Sequence, residues 1–323
     1  MAHRKLMAAL GVAAMLLGTT TACTPEPIVN IPSASQGPSA PALKIGTPVV
    51  PDGVNPQEGE LLAHVYAAAL KAAGVAATVV PTPVMPSQLV TSLESGSIDL
   101  LPVYSRLALA GVDPAAGAVV GSAADSVSAL KAALPTGISQ LDAAKAEDRS
   151  AVVVTAVTAE KYQLKSLSDI GQVCDKLVMS GTKAFMTKPN GLPGLGSDYN
   201  CVPKKYLPLQ PTANYSADSI LWALLRDDAQ MISMHTSSPT IADNSLVVLD
   251  DPKQLFLSQN IVPLVATGKV PATAQSGVNK VSAALGMDEL GNLNRLALDG
   301  HYDAVTDAAD AWLLQQGLIK ARS

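Results

Sequence analysis

The stretch ESGSIDLLPVYSRLALAG, Glu94 to Gly111, decides the fold. Gly96 ends a helical segment, and Ile98 to Val103 is then almost continuously apolar. Such a run predicts a strand buried on both faces, the habit of a parallel sheet covered by helices on each side. Tyr104, Ser105 and Arg106 follow at its carboxyl end, where open α/β sheets bind ligands. Two roles for Tyr104 stand open at this point: a wall of a ligand site, or a core cap whose hydroxyl reaches water.

Upstream, Leu43 to Thr47 reads as a first strand and Ala77 to Val80 as a second. Between them Asn55, Pro56 and Glu58 form a helix start, with Asn55 as N-cap, Pro56 in the first turn and Glu58 placed for a capping box. Leu61, Leu62, Val65, Ala69 and Leu70 recur at helical spacing up to Gly74, and a second helix covers Ser87 to Leu93. The unit is β-α-β-α-β, which predicts a parallel, doubly wound sheet.

Downstream, helices are expected around Ser126 to Ala133 and Ser139 to Ala146, then a strand over Ala151 to Val157. Thr158 to Ile170 reads as a loop entering a short helix capped by Ser168. Strands follow at Lys176 to Met179, Tyr206 to Leu209 and Met231 to His235, with a helix over Ser216 to Arg226. A β-rich run, Leu246 to Asp251, and a strand, Ile261 to Ala266, precede three closing helices: Ala272 to Leu285, Asp288 to Leu298 and Ala304 to Gln316. Two α/β units side by side, with a cleft between them, is the most economical assembly.

Composition narrows the function. Of 323 residues only 3% are aromatic, the net charge is −5, and no basic run interleaved with aromatics occurs past residue 5, which argues against a nucleic-acid partner. His3, Arg4 and Lys5, then an apolar stretch from Leu6 to Leu17, then Thr20-Thr21-Ala22-Cys23 make residues 1–22 a signal peptide. The processing site resembles a lipobox, with Thr20 where leucine is usual, so Cys23 is the expected lipidation site. Residues 23–42 are then a tether rich in Pro, Ser and Gly, reaching roughly 60 Å if extended. An exported chain meets an oxidising compartment, and Cys174 and Cys201 fit no CxxC motif, so a disulfide between them is expected over two separate buried thiols.

Catalytic signatures are absent: no GxSxG, HExxH, Walker loop or post-strand GxGxxG occurs, and the four histidines are scattered. The sequence therefore calls for no enzyme activity, no cofactor and no metal.

ESGSIDLLPVYS resembles a segment of the substrate-binding proteins of osmoprotectant (quaternary amine) ABC importers, the ProX/OpuAC-like family. Colinear matches to that family include IGT and KAAG within Ile45 to Gly74, TAEKYQLKSLSDI, FMTKPNGLPGL (Phe185 to Leu195), HTSSPTIADNSLVVLDDP (His235 to Pro252), LNRLA (Leu293 to Ala297) and QQGLI (Gln315 to Ile319). The resemblance implies an α/β, two-lobed type II periplasmic binding protein, each lobe a doubly wound sheet with flanking helices. Lobe 1 would comprise 43–105 and 238–323, and lobe 2 would comprise 106–237. It also implies a monomeric receptor for glycine betaine, choline or carnitine that serves a membrane permease from the extracytoplasmic face; the same fold binding a different small polar or aromatic solute, or a non-transporting lipoprotein that docks a protein partner, are the alternatives.

Such receptors surround an onium group with aromatic faces and hold a carboxylate with basic or amide donors. Carried over residue by residue, the implied ligand set is Thr47, Tyr104, Ser105, Lys188, His235, Thr236 and Ser237. Lys188 stands where the family usually has Arg, and His235-Thr236-Ser237 where it has an aromatic and Thr-Asp. Pro48 to Val54 lacks the family's Phe and Glu147 to Ser150 its Tyr, leaving Tyr215 as a further aromatic candidate.

Overall fold

The computed structural model describes residues 41–117, 121–210, 219–298, 302 and 304–320; Cys23, Tyr215 and nearly all of the tether lie outside them. Eleven strands occur among these residues: β1 (Leu43–Pro48), β2 (Ala77–Val84), β3 (Leu100–Tyr104), β4 (Ile138–Gln140), β5 (Glu147–Asp148), β6 (Ser150–Val154), β7 (Val178–Gly181), β8 (Lys205–Pro208), β9 (Met231–His235), β10 (Val247–Val248) and β11 (Gln259–Ala266). They form two sheets. One has the order β2-β1-β3-β11-β4, with β5 also paired to β11, and the other the order β10-β6-β9-β7-β8.

The predicted β-α-β-α-β unit is present, since β1 pairs in parallel with both β2 and β3. The second sheet repeats the arrangement with β7 between β8 and β9. Each parallel trio then takes an antiparallel neighbour from far along the chain, β11 beside β3 and β6 beside β9. These two strands are the ones by which the chain enters each lobe after crossing from the other. Pairing of Gln259 and Asn260 with Asp148 and Glu147 lays the two crossings alongside one another, forming a hinge.

Burial follows the sequence pattern. All residues of β3 and β11 are buried, whereas β2 is an edge strand and carries Pro81 and Pro83, positions that an edge tolerates because a missing N–H there costs no ladder bond. The helix Gln57–Ala72 buries Leu61, Leu62, Val65 and Tyr66 under the closing helices Ala272–Ala284, Met287–Leu298 and Val305–Gln315, with Trp312 fully enclosed. In the second lobe, Cys174 and Cys201 form a disulfide with their Cα atoms 5.2 Å apart, inside the core built on Val152, Met179 and Met231.

Several expectations are corrected. Residues 106–117 and 121–148 belong with the first sheet rather than with lobe 2: β4 and β5 pair with β11, and Leu109 and Leu130 share a core with Val262 and Leu264. Conversely, the segment after His235 stays in the second lobe up to about residue 258, because β10 pairs with β6 and Leu249 and Phe256 fill that core. The helix expected over Ser139 to Ala146 is extended chain. Its alanines favour helix, but Leu141 N and Ala144 N bond the carbonyls of Pro263 and Ile261, continuing the pairing along β11. Residues Ala156–Tyr162 form a helix capped by Thr155, and the next one, Leu167–Ile170, is capped by Ser166 rather than Ser168.

Candidate functional site

Between the lobes lies a cleft of about 350 Å³. The loop after β1 supplies Pro51, Asp52 and Gly53, the helix after β3 supplies Arg106, and the hinge supplies Arg149, Ser150 and Gln259. The second lobe faces them with Thr182, Phe185, Lys188, Ser233 and His235. Among the described residues, three basic side chains therefore meet one carboxylate here. Among the described residues Phe185 is the single aromatic ring on the cleft besides the imidazole of His235.

Local structure fixes each group. Thr182 caps the helix Lys183–Thr187 by accepting from Phe185 N at 3.0 Å, and its hydroxyl donates to Asp52 Oδ2 at 2.7 Å. Lys188 Nζ stands 3.6 Å from the same oxygen. Gly191 lets the Lys188–Gly191 turn fold back, since a Cβ there would meet the Phe185 carbonyl oxygen at 2.1 Å. Arg106 donates through Nε to Ser258 O (2.8 Å) and through Nη2 to Gly121 O (2.6 Å), tying the hinge to the first lobe.

Beneath the cleft runs a buried polar network. Asp148 accepts from Ser237 N (3.0 Å) and Thr236 Oγ1 (3.1 Å) through Oδ1, while its Oδ2 lies 2.6 Å from His235 Nδ1. Glu58 accepts from the Tyr104 hydroxyl and from Asn294 Nδ2, whose second hydrogen bond goes to Ser237 O at 3.0 Å. Burial, then the nearby Asp148 charge, pushes the Glu58 carboxyl up to about 7 against the pull of its donors. Burial and the Glu58 charge likewise raise the Tyr104 phenol well above its ordinary value. For His235, burial disfavours the imidazolium, but the Asp148 charge and hydrogen bond, the Glu58 charge and the Asp52 carbonyl outweigh it, and the net shift is upward.

Of the residues expected to touch ligand, Lys188 and His235 lie on the cleft and Thr236 and Ser237 lie under it, holding Asp148. Thr47, Tyr104 and Ser105 do not line it. Thr47 Oγ1 donates to Val80 O (2.8 Å), where the β1–β2 register shifts. Tyr104 is buried, and its hydroxyl donates to Glu58 rather than reaching water. Ser105 bonds Ser126 Oγ (2.6 Å) and accepts from Asn260 N (3.2 Å). Asp52, Thr182, Phe185 and Arg149 were not singled out. Asp52 sits in a Pro-Asp-Gly that reads as an ordinary turn, and Arg149 in a hinge that the sequence does not mark.

Two α/β lobes joined by two crossings, with a solute-sized cleft between them, define a type II periplasmic binding protein. The chain belongs to the OpuAC family: residues 47–315 match the model described as the substrate binding domain of ABC-type glycine betaine transport system. It is thus a solute-binding protein of an ABC importer, a class that works outside the cytoplasm. Its fold is similar to that of a glycine betaine/carnitine/choline ABC transporter protein (TM-score 0.73, 18% identity, covering 85% of this chain and 99% of that one). Apo YehZ from Escherichia coli is similar at TM-score 0.68 and 21% identity, covering 86% of this chain and 100% of that one. Lactococcal OpuAC in its closed form with glycine betaine is similar at TM-score 0.52 and 14% identity, covering 86% and 97%.

Proposed function

We propose that the protein captures a small, carboxylate-bearing osmoprotectant such as glycine betaine or carnitine in the interlobe cleft and delivers it, as a monomer, to an ABC permease. The observation that carries this reading is the convergence of Arg106, Lys188 and hinge-borne Arg149 on one cleft that holds, among the described residues, one phenylalanine ring and one carboxylate. Lys188 and Arg149 take the carboxylate by charge-assisted hydrogen bonds. Phe185 and Asp52 receive the methylated ammonium, one through its ring quadrupole and the other through its charge. Choline lacks the carboxylate and loses the first set of contacts. His235 lines the site, and Thr236 and Ser237 shape it from beneath. Acylation at Cys23 holds the receptor at the membrane, with residues 24–42 joining that anchor to the first lobe.

A second reading, a small anionic or polar solute with no quaternary ammonium, is favoured by one observation: the one phenylalanine that the described residues place on the cleft is a thin cage for an onium group. Calorimetric titration with glycine betaine, carnitine, choline, amino acids and dicarboxylates separates the two. Binding of betaine and carnitine ahead of choline is the expected result. Hits confined to non-quaternary solutes would move the protein to the second reading, and silence across the panel would reject both.

A further inference from the structure

We infer that His235 is a positioning residue that links capture to a proton: as an imidazolium it clamps the rim loop Pro51–Gly53 of the first lobe to the second lobe, and loss of the proton releases that loop. The inference rests on the cleft being the solute site. It stands on three distances. His235 Nδ1 is 2.6 Å from Asp148 Oδ2, and Nε2 is 3.1 Å from the backbone oxygen of Asp52 and 3.1 Å from Ser150 Oγ. A carbonyl oxygen has no hydrogen to offer, and neither has an ionised carboxylate, so each ring nitrogen must bring its own. Placing the second hydrogen on Asp148 instead changes little. The pair still holds one proton more than a neutral imidazole beside a carboxylate.

Deprotonation has a built-in alternative. With Nδ1–H kept for Asp148, the bare Nε2 becomes an acceptor, and the Ser150 hydroxyl beside it can donate where the Asp52 carbonyl cannot. The clamp is thereby exchanged for a bond to Ser150, the neighbour of His235 on β6 in the same lobe. What is released is the rim of the cleft. Gly53, at φ +95°, lays the loop flat on the imidazole, where a Cβ would sit 3.3 Å from Cδ2, and the Asp52 carboxylate on the same loop engages Thr182 and Lys188.

The charged groups around the ring act in both directions. Asp148 on β5 and Glu58 on the helix Gln57–Ala72 favour the imidazolium and burial opposes it, with a net upward shift; the cations next named oppose it as well. Lys188 lies across Asp52 from the ring, and Arg149 follows Asp148 in the chain. Glu58 gives up its own proton near pH 7 and so strengthens the hold on the His235 proton as the pH rises.

Since the closed lobes bind this proton more tightly than separated lobes, solute affinity must fall as pH rises through the raised His235 midpoint. The drop is on the order of tenfold for each pH unit separating the closed and open midpoints. The test uses the full chain and glycine betaine as probe. Ring nitrogen shifts of His235 followed by NMR from about pH 5 to 9 should show Nε2 protonated at pH 6, with a midpoint above the ordinary 6.5. The radius of gyration from small-angle scattering should grow through that midpoint, and glycine betaine affinity should fall. In His235→Gln both slopes should vanish, and Asp148→Asn should move the midpoint down. An Nε2 without a proton at pH 6, a scattering profile flat through the titration, or an unchanged pH slope in His235→Gln would overturn the clamp. Failure of glycine betaine to bind at every pH would count against the ligand class alone, because the NMR and scattering arms still decide the clamp.

Discussion

Glu58 carries the cost of the buried network. Its position in the first turn of a helix suits a capping carboxylate, yet it is fully buried and turned toward Tyr104 and Asn294. The residue that turns it inward, Asn294, is 236 positions away, so no local pattern could have shown it. Its folded pKa of about 7 lies above the unfolded 4.5, so between these values the folded chain holds a proton that the unfolded chain has lost. Stability therefore falls as pH rises through that window, by on the order of 3 kcal/mol, and levels off above it. Urea unfolding at several pH values should show that slope, and Glu58→Gln should flatten it; parallel profiles in both proteins would mean that Glu58 is ionised throughout. Tyr104→Phe removes one donor to Glu58 and should cost about 1–3 kcal/mol of stability near pH 8. Glycine betaine affinity should stay as it was, and a marked loss of affinity with stability intact would return the ring to the ligand site. For Lys188, about half exposed and near Asp52, Lys188→Met should weaken a carboxylate ligand by about 1.5 kcal/mol, roughly tenfold, and spare choline. Equal losses measured for glycine betaine and choline would remove it from the carboxylate subsite.

Elements were legible in proportion to how far their own pattern determined them. β1, β3, the helix Gln57–Ala72 and the three closing helices fall within a few residues of expectation, because apolar spacing and Gly74 mark them locally. β4 failed for a tertiary reason: Ile138–Gln140 is too short to announce itself, and β11, read correctly but nearly 120 residues later, supplies its partners. The second-lobe disulfide is the element whose energetic weight can be measured directly. It joins the turn Cys174–Lys176 to the end of the segment after Leu192–Tyr199, across 27 residues. Restricting a loop of that size in the unfolded chain is worth about 3 kcal/mol. Cys174→Ser with Cys201→Ser should lower the unfolding free energy by about that amount, and reductant should do the same to the native chain while leaving the double variant unaffected. If reductant shifts both equally, the loss belongs to something other than the bridge.

For the whole molecule, two α/β lobes could be read from strand and helix order, but where the chain crosses between them could not. Crossing is decided by which sheet accepts β4, β5 and β10, and edge pairing of that kind leaves no trace in hydropathy. The cleft charges were hidden for the same reason, since Asp52, Arg106, Arg149 and Lys188 become neighbours only when both lobes and the hinge are in place. The proposed anchor, by contrast, is read from local sequence alone. Removing the leader with its Arg4 and Lys5 leaves 20 basic against 27 acidic residues, a net charge of −7, so the folded part is not drawn to an anionic membrane surface. Among the described residues no helix is long and apolar enough to cross a bilayer. Membrane retention would then rest on acyl chains at Cys23, and two chains are needed because a single one binds only marginally and reversibly. Cys23→Ser should therefore move the receptor from the membrane fraction to the medium while its glycine betaine affinity, measured on the released protein, stays that of the anchored form. Retention of Cys23→Ser in the membrane fraction after a high-salt wash would reject the lipid anchor.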